Sequence, residues 1–395
     1  MFGQTGFRLV QAPTFLPAFL FELSGSDLVV GAARSLQGLG TVVSPVIGAS
    51  LIGHRPRILV TTMVTSTLMR LQVLGMALAG FFLGAGATVV ALVALLTLMG
   101  FFQGMSQVVM NSLRARVIPV RRRGIVTGAR HFLAGLTSAG VSYVAGAYLI
   151  EHDALGNGYA SVFLLAFVVG SLGLAGVAIT KEPRSSELRP RESPLAALRG
   201  IAPLLREDPA FARFFLARAL GSFGRMALPF YIVFAATRME VGGAVLGLVT
   251  TVWMLTGSTA TLVWGVLGDR YGHRVVMIWN LALWTAANAY IPFVDSVAEL
   301  VAFFVLLGIP SGGFNQAAQN LVLEFGRVHD IPLRVAASGT AVNVVAAAGP
   351  FLGGILVALW SYPVLFGVTV AVQLAALVIV VAWTPEPRLA KEKSG

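Results

Sequence analysis

The chain has 395 residues, 56% of them hydrophobic and only 11% charged, against about 25% charged in soluble domains, so most of its surface is built to face something other than water. The formal net charge is +11, but the basic residues gather in short stretches between apolar runs, which points to the anionic face of a bilayer and away from nucleic acid. Without cysteine there is no disulfide, thiol nucleophile or cysteine-based metal site, and without a GxxxxGK[ST] phosphate loop no direct ATP hydrolysis is expected.

A helix that crosses a membrane needs roughly 20 apolar residues. Twelve such runs occur, at 3–23, 27–52, 57–83, 86–112, 124–150, 158–180, 209–236, 242–267, 273–294, 298–324, 333–359 and 362–384. The first has no basic lead and no small-x-small cleavage site, and Pro13 and Pro17 interrupt it. It is expected to be a span rather than a cleaved signal. Its lead is so short that the true start of the chain is left open.

Between the sixth and seventh runs, Lys181 to Arg206 is charged, holds four prolines and carries no apolar run. This divides the chain into an N-terminal bundle over 1–180, a linker over 181–207, and a C-terminal bundle with a short tail over 208–395. The loops fall into two alternating sets. One holds twenty lysines and arginines, among them Arg55, Arg57, Arg114, Arg116, Arg121, Arg122, Arg123, Arg270, Arg274, Arg327 and Arg334. The other holds only Arg238, beside Glu22, Asp27, Glu151, Asp153, Glu240, Asp295 and Glu299. The positive-inside rule then places the basic loops, the linker and both termini in the cytoplasm.

Two stretches repeat. Gly265 to Arg274 reads G-V-L-G-D-R-Y-G-H-R, and Gly53-His54-Arg55 answers Gly272-His273-Arg274 with Ser50 where an aspartate would stand. Gly104-x-x-Gln107-x-x-x-Asn111 leads to Ile118-Pro119-x-Arg121 and Thr127, and Gly313-x-x-Gln316-x-x-x-Asn320 leads to Ile331-Pro332-x-Arg334 and Thr340. These features resemble the major facilitator superfamily over essentially the whole chain. The resemblance implies an all-α membrane fold of two pseudo-symmetric six-helix bundles and transport by alternating access about a central site. It implies that Asp269 holds the closed cytoplasmic gate against the opposite half, with Gly265, Arg270, Gly272 and Arg274 in the same loop and Arg121, Arg122 and Glu324 nearby. It also implies that the first, fourth, seventh and tenth helices line the cavity.

Several residues then become candidate ligands. Gln103, Gln107 and Asn111 share one helix face, as do Gln316 and Asn320, with Glu324 on the same line. Amides of this kind serve a ligand or join helices equally well. Arginines inside spans cost at least about 2.5–3.5 kcal/mol each on insertion scales and need a reason. Arg225, followed by Pro229, and Arg8, ahead of Pro13, sit on expected cavity helices and suit an anionic group. Structural pairing is the competing reading for both. Arg70 is expected to be structural, and Arg218 and Arg213 to reach the nearer interface. Trp253 and Tyr231 are candidates to face the cavity.

No Asp or Glu occurs near the middle of any span. Gly100 stands where the family's antiport motif places arginine, and Gly349-Pro350-x-x-Gly353-Gly354 lies in the eleventh run rather than the fifth. These departures lean away from proton-coupled export of cations and toward an anionic or amphiphilic solute. A multidrug exporter remains an alternative, as do a lipid-modifying membrane enzyme and a non-transporting sensor or scaffold. The expected partners are a small solute, a coupling proton or ion, and anionic lipids at the basic loops. The chain is expected to act as a monomer, with no cofactor, metal or nucleic acid.

Overall fold

The computed structural model describes residues 2–52, 55–118, 123–180, 182, 194–325 and 331–384. Gly53, His54, Arg121 and Arg122, singled out above, lie outside them. Among the described residues the secondary structure is helical, with no strand.

The first apolar run folds as two ten-residue helices, α1 (Phe2–Gln11) and α2 (Phe15–Ser24). Pro13 has no N–H to give and disfavours helical backbone at Ala12, so the chain breaks there and exposes carbonyls. Arg34 on α3 (Asp27–Ile52) takes up two of them, its Nη2 donating to the carbonyls of Ala12 at 3.0 Å and Val10 at 3.4 Å. Next come α4 (Leu59–Phe82), α5 (Ala85–Val117), α6 (Arg123–Val144) with a π-helical continuation over Ala145–Ile150, and α7 (Gly158–Ala178).

The seventh run is also broken, into α9 (Pro209–Gly221), α10 (Gly224–Ala227), a 3-10 turn over Leu228–Phe230 and α11 (Tyr231–Ala236). Pro229 cannot donate to the carbonyl of Arg225 four residues back, so the N–H of Leu228 takes it in a tighter turn. The remaining spans are α12 (Gly243–Tyr271), α13 (His273–Tyr290), α14 (Val297–Leu321), α15 (Ile331–Leu359) and α16 (Tyr362–Val378). Among the described residues, eleven helical segments are long and apolar enough to cross a membrane unaided, and α1 with α2 occupy the first apolar run.

One element was not expected. The linker contains α8 (Pro194–Glu207), which buries Leu204 and packs Ile201 and Leu205 on the core, against α9 and α15. Its apolar residues are too few for a span, so no hydrophobic run announced it.

Within the first six spans α3 and α4 pack on α5, and α1 packs on α6 and α7; within the last six α12 and α13 pack on α14, and α15 packs on α9 and α10. Two seams join the sets, α3 with α15 and α6 with α12. Glycine makes both possible. A Cβ at Gly38 would sit 2.7 Å from the Cα of Ala347, and one at Gly247 would sit 2.9 Å from the Cα of Gly146. Bare backbone lets the helices touch where lipid gives no hydrophobic drive to do so.

Polar contacts bind the seams on the side away from the linker. Ser35 Oγ accepts from the N–H of Phe351 at 2.8 Å, Tyr362 donates to Asp27 at 2.7 Å, Thr14 and Thr250 meet at 2.6 Å, and Glu151 accepts from the N–H of Ala244 at 2.8 Å.

Candidate functional site

Below that closure, toward the face that carries the linker, lies a cavity of about 620 Å³. Its walls are Gln11, Pro13, Arg34, Gln37, Gly38, Thr41, Pro45, Gln103 and Gln107 from the first six spans, and Arg218, Arg225, Leu228, Pro229, Trp253, Asn315, Gln319, Gly339, Val342, Asn343, Ala346 and Pro350 from the last six. Three are arginines and none is an acid.

The arginines differ in what they already hold. Arg34 is committed. Besides the two carbonyls of the α1 break, its Nη1 donates to Gln37 at 3.1 Å and Gln11 at 3.5 Å, and Gln11 in turn donates to Gln103 at 3.1 Å. Arg218 is 4% exposed and donates through Nη1 to Ser338. Arg225 sits on the four-residue helix between the two breaks, and its side chain has no hydrogen-bond or ion-pair partner among the described residues. Arg218 and Arg225 lie within charge–charge range of each other.

The unmet polar atoms of the wall share one character. Among the described residues, the buried side-chain atoms without a partner that belong to the cavity lining are Gln37 Nε2, Arg218 Nε and Trp253 Nε1, all of them donors. A buried donor left unpaired costs roughly 1–3 kcal/mol, and a ligand oxygen placed against it recovers much of that. The wall also offers Leu228, Val342 and Ala346 beside the Trp253 ring, so a ligand with an apolar body and an oxygen-rich head fits both parts.

Of the residues expected to bind ligand, Gln103, Gln107 and Arg225 line this cavity. Five others do not. Tyr231 is 0% exposed on the far side of the broken seventh span, donating to Asn288 at 2.7 Å and packed edge-on to Phe303. Asn111 is exposed and accepts from Arg114 at 3.0 Å. Arg8 reaches across the seam to Ser258 at 3.2 Å. The α14 stripe is rotated away: Gln316 faces Gly265 of α12, and farther along the line Glu324 lies 3.9 Å from His273. Gln316 and Asn320 are therefore replaced in the wall by Asn315 and Gln319, one residue earlier and about 100° round the helix.

Arg34 and Arg218 were missed as cavity residues. Arg218 was expected to reach the interface, but the break at Ser222 turns it inward and buries it. Arg34 lies on the second span, which supplies the wall together with the eleventh; an arginine in an otherwise apolar 27–52 run was the signal that could have found it. Arg70 is structural as expected, donating to the carbonyls of Gly170 at 2.8 Å and Ser66 at 2.7 Å.

The loop at 265–274 lies on the linker face. Gly272 has φ of +95°, a conformation glycine adopts without strain, and so turns α12 directly into α13. Asp269 and Arg270 are exposed, Arg270 stacking on Tyr271. Arg274 departs from its expected place at the gate. It donates to the carbonyls of Val381 at 2.7 Å and Val380 at 3.2 Å, capping the end of the last span within its own bundle. Arg121 and Arg122 lie outside the described residues.

The family model of the Major Facilitator Superfamily matches residues 2–243 and again 214–395. The "Tetracenomycin C resistance and export protein" of Streptomyces glaucescens is 31% identical over 130 residues, 33% of this chain and 24% of that protein. The matched stretch spans only about a quarter of the length of the curated relatives. Among solved structures, a point mutant of the nucleoside transporter NupG superposes with a TM-score of 0.77 at 13% identity, covering 96% of this chain and 97% of that one. A D-xylose-proton symporter does so with a TM-score of 0.72 at 15% identity, covering 98% and 97%.

Proposed function

The chain belongs to the major facilitator superfamily, and we propose that it carries a small organic anion, with an apolar or aromatic body, across a bacterial cytoplasmic membrane by alternating access. The observation that carries this reading is the one-sided chemistry of the cavity: three arginines, three unmet buried donors and no carboxylate. A cationic drug would meet that wall with repulsion from its arginines and no carboxylate to pair with. In this reading Arg225 is the principal ligand for the anionic head, Arg218 adds charge beside it, and Gln103 and Gln107 supply amides from the opposite wall. Arg34 is a positioning residue, since its donors are spent on the α1 break and on Gln11 and Gln37.

The basic loops support a cytoplasmic linker face. On that orientation the seams close the outer side and the cavity faces inward. The first and last six spans would rock about the cavity as two bodies, with the loop around Asp269 acting as the inner latch. Asp269→Asn is then expected to slow flux several-fold while the folded protein still reaches the membrane; wild-type flux in that variant would end the latch role.

Drug export is the second reading, favoured by the likeness to the tetracenomycin C export protein over a third of the chain. A thermal-shift screen of purified protein against anionic, neutral and cationic compounds separates the two, because a ligand that binds only the folded state raises the melting temperature. Anionic hits abolished by Arg225→Ala support the first reading. Hits confined to lipophilic cations replace it with the second.

A further inference from the structure

The helix faces that reach the cavity continue past it toward the linker side. Arg8 lies three residues before Gln11 on α1, and Arg114 seven after Gln107 on α5, so each stays on its helix's cavity face. From α6 come Arg130 and His131, with Arg130 Nη2 and His131 Nε2 3.2 Å apart. His131 is one turn from Gly135, where a Cβ would collide with Ser258 and lie 3.3 Å from Arg8 Nη1. That face of α6 therefore looks at α1 and α12 rather than at lipid. Arg8 and Arg114 each lie within charge–charge range of the Arg130–His131 pair, so four basic groups from three helices form one cluster.

What these groups hold sets them apart from the other basic side chains. Arg70, Arg213 and Arg274 end on backbone carbonyls, and Arg116 and Arg334 on Glu182 and Asp208. In the cluster, Arg8 ends on a serine hydroxyl, Arg114 on the amide of Asn111, and Arg130 on an imidazole. None of them pairs with a carboxylate among the described residues. A guanidinium has five N–H donors, so among the described residues most donors of the three arginines have no partner and their charges no carboxylate, in a half-buried place.

We propose that Arg8, Arg114, Arg130 and His131 form a second oxyanion station at the linker-side mouth of the cavity, holding the carboxylate, phosphate or sulfate of a solute between bulk water and Arg225. The station rests on the reading of the cavity as an anion path, but it is built from the first six spans whereas Arg225 belongs to the last six. A positive mouth also raises the local concentration of anions and speeds their capture, an effect that salt weakens.

The test is pyrophosphate binding to the full-length protein by calorimetry, in phosphatidylcholine nanodiscs at low salt. Wild type is expected to show two classes of site. Arg114→Gln with Arg130→Gln should weaken one class at least tenfold and leave the other; Arg225→Ala should do the reverse; Arg114→Lys with Arg130→Lys should keep both, which excludes misfolding. Wild-type binding in the glutamine variant, or no pyrophosphate binding in a protein that still binds organic anions, overturns the station. If Arg225→Ala leaves both classes intact, the central reading fails and the station stands. Loss of the mouth class in phosphatidylglycerol nanodiscs would assign the cluster to a lipid headgroup and overturn the solute station.

Discussion

Arg225 and Arg34 occupy the same cavity with opposite commitments. Arg34 spends its donors on four acceptors, two of them carbonyls that Pro13 leaves bare, whereas Arg225 has no partner among the described residues. A charge-assisted hydrogen bond contributes about 1.5–3 kcal/mol, so Arg225→Ala is expected to weaken anion binding roughly ten- to a hundredfold. Its melting temperature without ligand should stay near that of wild type. Arg34→Gln should lower the melting temperature as well as the affinity, because the α1 break loses its cap. Equal effects of both variants on the unliganded protein, measured by thermal unfolding, would undo this division of roles. Tyr231 gives the opposite control. Its hydroxyl donates to Asn288, which donates to Gln373, so Tyr231→Phe breaks a packing network far from the cavity. The expected cost is about 1 kcal/mol of stability, within the range for interhelical bonds in membranes, with anion affinity unchanged.

At the scale of the helix, the breaks and glycine seams place the site. The seam between α3 and α15 is so close that a Cβ on Gly31 would collide with the Pro350 carbonyl. Gly31→Leu is therefore expected to wedge apart the closure on the side away from the linker. In that background a cysteine at Ser35, buried in wild type, should react several-fold faster with a membrane-impermeant thiol reagent added from the side opposite the linker. Unchanged labelling would mean the seam does not hold the closure. The sequence exposed the spans, their order and the likeness of the two sets, because apolar length, loop charge and repeated spacing are local properties. It could not expose azimuth. Residues four apart share a face, but which way the face points depends on neighbours, so Gln103 and Gln107 reach the cavity while Gln316 turns toward α12 and the wall is left to Asn315 and Gln319. Nor did it expose the share of wall taken by α3 and α15, and with it Arg34. Helix α8 escaped because an amphipathic stretch of fourteen residues between charged segments has no apolar run to announce it.

For the whole molecule, the contacts are arranged as a closure on the side away from the linker above an arginine-lined cavity, the arrangement of one end state of a carrier rather than a channel. Alternating access requires the closure to open once per cycle, so a tether across it should abolish flux and spare binding from the linker side. The chain contains no cysteine, which makes the tether simple to install. Ser35 Oγ accepts from the backbone N–H of Phe351, so Ser35 lies against the α15 backbone at position 351 in the α3–α15 seam. With Ser35→Cys and Phe351→Cys joined by a short bifunctional thiol reagent, uptake into proteoliposomes of an anion identified by thermal shift should fall to background. Equilibrium binding from the linker side should stay within about twofold of the untethered protein, since the cavity of about 620 Å³ already exists in this state. Cleaving a disulfide-containing tether with reductant should restore flux. Flux that survives the tether would mean the α3–α15 seam is fixed through the cycle, and the path would then have to open along the α6–α12 seam alone.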